Sequence, residues 1–247
     1  MKIQPISDMH LEFCGIDWLD PIEELQVLAP ILVIAGDFCT KKYFVDAMRA
    51  VCSKFKYVVF VPGNHEYYHS SFEEMDALFE EMDKEIGNLF VLQERILTSA
   101  DIPELEDKRI LGTSLWFAKE PENVFHASGL NDFRMIDGFA EKVYTRNRNS
   151  QVFLFTKVET RDIVVTHHIP AYGLVPNVYT TSSMNRFFFC EVVEPLFRSA
   201  VFPSLWLYGH THMAGITELE GGKYVCNPVG YPSEYNTGFN SKLVVEV

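Results

Sequence analysis

Ile31-Leu32-Val33-Ile34-Ala35-Gly36-Asp37 is an apolar run closed by a glycine and a carboxylate. Such a run, rich in β-branched residues, suits a strand buried on both faces. The same grammar recurs three times. Tyr57-Val58-Val59-Phe60-Val61 precedes Pro62-Gly63-Asn64-His65-Glu66. Ile163-Val164-Val165 precedes Thr166-His167-His168, and Leu205-Trp206-Leu207-Tyr208 precedes Gly209-His210-Thr211-His212. Lys2-Ile3-Gln4-Pro5-Ile6 reads as a further strand, with Pro5 on its first part or an irregular piece. It leads into Ser7-Asp8-Met9-His10-Leu11-Glu12. The pattern predicts an α/β fold whose chemistry-bearing side chains sit where strands end and loops begin, the edge at which open α/β sheets bind ligands.

Taken singly, the clusters are weak. A D-x-H such as Asp8 and His10 is common by chance, and Gly36-Asp37 is ordinary turn chemistry. Gly63-Asn64-His65-Glu66 is more specific, and Gly209-His210-Thr211-His212 more so. On an extended segment His210 and His212, two apart, face the same side and both reach one metal centre. Of the eight histidines only His69 and His126 lie outside these clusters. Burying so many imidazoles without partners would be costly. Carboxylates, an amide and imidazoles together can hold two divalent metals, which points to metal-assisted hydrolysis of a phosphate ester. Oxygen and nitrogen donors without a thiolate suit Mn, Fe, Zn, Ni or Co better than Ca or Mg.

In their order, D-x-H, G-D, G-N-H-E, H-H and G-H-T-H, spread from Ser7 to Tyr231, the clusters make the chain resemble the calcineurin-like metallophosphoesterase superfamily. The resemblance implies a four-layer α/β/β/α sandwich of two mixed sheets, with a dinuclear metal site at the C-terminal ends of strands. It implies that Asp8, His10 and His212 hold the first metal, that Asn64, His167 and His210 hold the second, and that Asp37 bridges them. His65 stands where the family's general acid stands. Many relatives read G-D-x-x-D, the second Asp orienting that histidine, and here Thr40 takes its place. Either another acid orients His65, with Glu66 and Asp132 as candidates, or the general acid contributes less. His168, next to a ligand on an extended segment, is expected to point away from it and to support the site or the phosphate. Asn227 and Tyr231, in Asn227-Pro228-Val229-Gly230-Tyr231, resemble the post-motif turn of bacterial and phage-type members and are expected to support the site from behind.

The 247 residues, 47% hydrophobic, suffice for a large core and one domain spanning 1–247. No apolar run approaches the ~20 residues that span a membrane, and the N-terminus carries no signal-peptide pattern. Five cysteines without C-x-x-C spacing read as reduced thiols in a cytoplasmic protein. Cys39, two residues from Asp37, reads as a small buried apolar group. Ser71-Phe72-Glu73-Glu74 is a capping box, and Phe72, Met75, Phe79, Met82 and Ile86 follow at helical spacing as far as Gly87. Phe44, Met48, Val51 and Phe55 give a second helix, and a third is expected from Arg186 to Phe197, ending near Pro195. Asp101 to Lys108 reads as a charged loop.

The formal net charge of −13 repels phosphate, so local attraction must come from the metals. The absence of a Lys/Arg run disfavours long nucleic acid. Two loops, Lys119 to Arg148 and Pro170 to Arg186, are expected to shape the substrate pocket. They bring the candidate arginines Arg134, Arg146 and Arg148 and the aromatics Phe133, Tyr172 and Tyr179, able to stack on a base or simply to pack. The expected activity is hydrolysis of a small phosphodiester or phosphomonoester. The metal motifs also fit a protein Ser/Thr phosphatase or a nuclease, whereas a non-catalytic relative would not need so complete a ligand set.

Overall fold

The computed structural model describes residues 1–219 and 221–247. Its strands are β1 (Lys2–Ile6), β2 (Ile31–Ala35), β3 (Tyr57–Val61), β4 (Ser70–Ser71), β5 (Leu89–Val91), β6 (Arg95–Leu97), β7 (Ile110–Thr113), β8 (Ile136–Asp137), β9 (Ile163–Thr166), β10 (Leu205–Tyr208), β11 (Gly215–Leu219), β12 (Gly222–Cys226) and β13 (Val245–Glu246). The first sheet runs β13-β1-β2-β3-β5, parallel except for β13. The second runs β11-β12-β10-β9-β7-β6, with antiparallel strands at both edges of a parallel centre. A short ribbon pairs β4 with β8.

Alternation along each strand assigns its two faces to two different cores. Leu32, Ile34, Val58 and Phe60 face outward and pack with Phe44, Met48 and Phe79 of the helices Lys41–Lys54 and Phe72–Glu85. Ile31, Val33, Val59 and Val61 face the other way and meet Ile163, Val165, Leu205 and Leu207 between the sheets. Val164, Trp206 and Tyr208 face an outer core with Leu154 and Leu196. Helix, sheet, sheet, helix is therefore the order of layers. A one-residue slip would exchange the two faces of a strand, so burial on both sides specifies register. Among the described residues no helix is long and apolar enough to cross a membrane.

Local signals explain most elements. Ser71 Oγ accepts from the Glu74 N–H at 3.2 Å, and the helix after it buries Phe72, Met75, Phe79 and Met82. Pro5 lies beyond the stretch where β13 pairs with β1, at Lys2 and Ile3 only. The five cysteines are free, Cys39 among the buried ones.

Three expectations change. The helix predicted from Arg186 is a 3-10 turn, Ser183–Phe187, followed by a short helix, Val193–Arg198. Pro195 sits in its first turn, where a missing N–H breaks no intrahelical bond. The stretch from Asp101 to Lys108 is not only a charged loop: it contains the 3-10 turn Pro103–Leu105 and buries Ile102 and Leu105. The stretch from Lys119 to Arg148 is no plain loop either. It carries short helices, Asn123–His126 and Asp132–Met135, and the start of a 19-residue helix, Phe139–Lys157. That helix hides in the sequence because its buried stripe is interrupted by Asn147 and Ser150. Their polar groups are satisfied by the Trp116 carbonyl and by Thr113 and Glu94.

The carboxyl ends of β1, β2 and β3 and of β9, β10 and β12 open on one shared edge. An isolated parallel bridge, Ser7 with Pro228, joins the two sheets there.

Candidate metal centre

The backbone at that edge is unusual. Asp8, His10, Asp37, His210 and His212 all have positive φ, at 53°, 48°, 51°, 68° and 50°. Side chains with a Cβ avoid this region, at a cost of about 1–3 kcal/mol each, and such residues cluster at functional sites. The segment from His210 to His212 is therefore a bend with left-handed backbone at both histidines, and not the extended piece expected. It sends the two imidazoles into different groups. Glycines make room for this. A Cβ on Gly36 would stand 2.2 Å from His167 Nδ1, and one on Gly63 would stand 2.2 Å from Asp37 Oδ1.

Two clusters that share no residue result, Asp8 with His10 and His212, and Asp37 with His167 and His210, and a third group, His10 with Asp37 and His65, overlaps both. In the first, His10 Nε2 and His212 Nε2 face each other at 3.0 Å. In the second, His167 Nε2 lies 3.1 Å from His210 Nδ1 and 3.1 Å from Asn64 Oδ1. Asp37 stands between them, Oδ2 3.8 Å from His10 Nε2 and Oδ1 3.4 Å from His167 Nε2. The outward ring nitrogens are fixed: His167 Nδ1 donates to the Ala35 carbonyl at 2.9 Å, and His212 Nδ1 to Glu234 Oε2 at 2.7 Å. That leaves the inward nitrogens as lone-pair donors. Facing lone pairs beside carboxylate and amide oxygens form a donor set that fits two divalent cations of the nitrogen- and oxygen-loving kind.

Charge follows the same lines. Burial works against ionised Asp37, but His167, His65 and His10 hold it well below the usual carboxylate range. Burial lowers His167, and the Asp37 carboxylate more than offsets it, so the ring is raised. His212 is likewise lowered by burial and raised more by Asp8 and Glu234, to about 9.

The supporting groups differ from those expected. Glu66 does not orient His65. Its carboxylate accepts from the N–H groups of Asp37 (3.1 Å), Phe38 (2.7 Å), Cys39 (3.2 Å) and Gly63 (2.6 Å), tying two strand ends together. Burial and the Asp37 charge push it up to about 8, against the pull of those donors. Asp132 does not orient His65 either. Its Oδ1 accepts from Asn64 Nδ2 at 3.0 Å and Tyr68 Oη at 2.7 Å, which turns the Asn64 oxygen toward His167. The group that holds His65 is Glu12, whose Oε1 lies 2.7 Å from His65 Nδ1 and 3.4 Å from His10 Nδ1. Glu12 stood in view, two residues after His10, and only the fold shows what it faces. His65 stacks on Tyr68 at 4.2 Å. Its Nε2 lies 3.3 Å from Tyr231 Oη. Burial lowers His65, but Asp37 and Glu12 raise it further, and the net shift is upward.

The calcineurin-like phosphoesterase family profile matches residues 1–214. The chain belongs to this family. It is 25% identical to the uncharacterized protein L509 of Acanthamoeba polyphaga mimivirus over 282 aligned residues, covering 98% of this chain and 95% of the other. Its fold is similar to that of the phosphopantetheinyl hydrolase PptH from Mycobacterium tuberculosis, with a TM-score of 0.67, 18% identity, and 96% and 94% of the two chains covered.

In this calcineurin-like phosphoesterase the segment past residue 214 also reaches the site. Tyr231, expected only as support from behind, packs its ring 4.4 Å from His10 and 4.6 Å from His212. Asn227 bonds to the backbone instead: its Nδ2 donates to the carbonyls of Pro5 and Asn240, holding β1 in place. His168 is buried behind His210, its ring 4.4 Å away, with Nδ1 facing the Ser114 carbonyl at 3.2 Å. Burial and the His167 charge lower it to about 3, so the ring stays neutral.

A cavity of about 440 Å³ opens beside Asp37, Asn64, His65, His210 and His212. Its walls come in part from the two stretches expected to shape a pocket, at Gly129 to Asp132 and between Val175 and Asn185, and in part from Tyr68, Ile169, Phe188, Tyr231 and Glu234 outside them. The three candidate arginines are not in its lining. Arg134 is exposed and bonded to Asn131, Arg146 pairs with Asp76 across the Phe72 ring, and Arg148 is exposed on the same helix. Of the aromatics, Tyr179 lines the cavity, whereas Phe133 packs on Phe139 and Tyr172 on Phe189.

Proposed function

We propose that the chain hydrolyses a small phosphodiester or phosphomonoester, with one divalent ion held by Asp8, His10 and His212 and another by Asn64, His167 and His210. The observation that carries this reading is Asp37, whose two oxygens each face a different cluster. Bound there, the ions (Mn, Fe, Zn, Ni or Co) supply Lewis acidity for the phosphate and its attacking water. Asp37, with one oxygen toward each cluster, would contribute to both positions and would offset the ions' mutual repulsion. Asp132 keeps the Asn64 oxygen directed inward. Glu12 fixes His65 through Nδ1 and favours its charged form, so that Nε2 carries the proton for the leaving oxygen. Tyr231 Oη is the only chain group bonded to that Nε2 among the described residues.

The net charge of −13 and a cavity without Lys or Arg favour a small substrate over a long nucleic acid, which needs an extended basic track. The test is turnover of nitrophenyl phosphate mono- and diesters and of oligonucleotides, at two salt concentrations. Chelation should abolish activity and Mn should restore it. Absence of turnover with both metals bound would overturn the enzyme reading. A strong, salt-sensitive preference for oligonucleotides would favour a nuclease.

A further inference from the structure

Resting on that reading, the cavity wall says what is attached to the phosphate. Away from the metal clusters the lining divides into two kinds of surface. Leu130, Val175, Met184 and Phe188 are apolar, while Ser182 and Asn185 offer neutral hydroxyl and amide groups. Neither a lysine nor an arginine is present among the described lining residues. The charged lining groups other than histidine are acids: Asp37 in the metal clusters, Asp132 bonded to Asn64 and Tyr68, and Glu234 bonded to His212. The nearby cations are not themselves lining groups and are already bonded. Arg134 donates to Oδ1 of the lining residue Asn131, and Arg186 turns to the Ser183 carbonyl and to Glu120 and Glu122 at 3.4 and 3.7 Å. An anion on this wall would be partly desolvated, without a cation in the lining itself and close to like charges, each of which is unfavourable.

We propose that the cavity selects phosphate esters whose attached arm is uncharged, of mixed apolar and hydroxyl or amide character, and disfavours esters whose arm carries a second phosphate or a carboxylate. Water adds to phosphorus, the P–O bond to the arm breaks, and the arm leaves as a neutral alcohol whose oxygen takes up a proton. The volume, about 440 Å³, suits a fragment-sized arm.

The experiment uses the full chain loaded with Mn. A matched pair of alkyl phosphodiesters shares the ester oxygen and arm length, one arm ending in a primary amide and the other in a carboxylate. A third compound ends in a phosphate. The amide should be preferred by at least ~10-fold in kcat/KM, the size of one missing favourable charge contact. Tyr179→Lys, on the exposed part of the lining, and Ser182→Lys each place a cation on the wall and should narrow the ratio several-fold. A wild-type ratio near one, or a preference for the charged arms, overturns the proposal. So does a ratio that neither Lys variant changes. A nitrophenyl phosphodiester, whose short aromatic arm ends in neither amide nor acid, separates the two failures. If it is not turned over, the phosphoesterase reading falls; if it is, and the matched pair shows no preference, only the selectivity falls.

Discussion

Replacing Glu12 by Gln isolates the charge behind His65. The carboxylate is 10% exposed and lies 2.7 Å from His65 Nδ1, so solvent screens the pair little. A hydrogen bond to a charged group is worth about 1.5–3 kcal/mol. Gln keeps an acceptor of similar shape and removes the charge, so the loss should approach that range, roughly 10- to 150-fold in rate. The effect should depend on the leaving group. An alkyl phosphate needs a proton on its departing oxygen and should suffer the full loss, whereas nitrophenolate departs without help and its rate should change little. The pH profile carries a second signature. Glu12 helps raise His65, and a general acid is active when protonated, so activity falls as pH rises through its pKa. With Gln, that alkaline limb should move to lower pH. Metal content should fall little, because Glu12 lies in neither cluster and Gln keeps an acceptor for the outer nitrogen of His10, 3.4 Å from Glu12. Equal losses for alkyl and nitrophenyl esters, with metals retained, would show that His65 holds phosphate and does not donate a proton.

Asp37→Asn should lower occupancy of both metal positions and abolish turnover with the fold kept; elemental analysis and circular dichroism check this, and two retained metals with wild-type activity would sink the bridging assignment. Asp132→Ala releases the Asn64 amide and should weaken one of two calorimetric Mn sites by roughly 10- to 100-fold, leaving the other unchanged. Gly63→Ala places a Cβ 2.2 Å from Asp37 Oδ1 and should destabilise the chain by about 1–3 kcal/mol in denaturant titration. Gly87→Ala, with nothing within 4 Å, is the neutral control. Metal binding requires neutral rings, yet without metal His212 holds its proton up to about 9 and His167 is raised as well. Uptake should therefore release protons and weaken as pH falls from 9 toward 6, which calorimetry in buffers of different ionisation enthalpy measures; uptake independent of pH would contradict the ligand assignment.

The sequence by itself determined the strands and where their chemistry lies. β2, β3, β9 and β10 are legible because a strand buried on both faces must be apolar throughout, and that requirement is local. The polar clusters following them are legible for the same reason: apolar runs stop where the chain meets ligand or solvent. What a side chain faces after the sheets close is a different quantity. The helix Phe139–Lys157 buries Asn147 and Ser150, tolerable only because Trp116, Thr113 and Glu94 supply partners from elsewhere in the chain. Glu12 meets His65 from 53 positions away, and Tyr231 meets it from 166. The bend at His210 to His212 likewise depends on contact with Asp8, whose two oxygens accept from the His210 N–H at 3.0 and 3.1 Å. Those positions are set by hydrogen bonds and packing between distant segments, which no short stretch of sequence records, and so only the tertiary structure decided them.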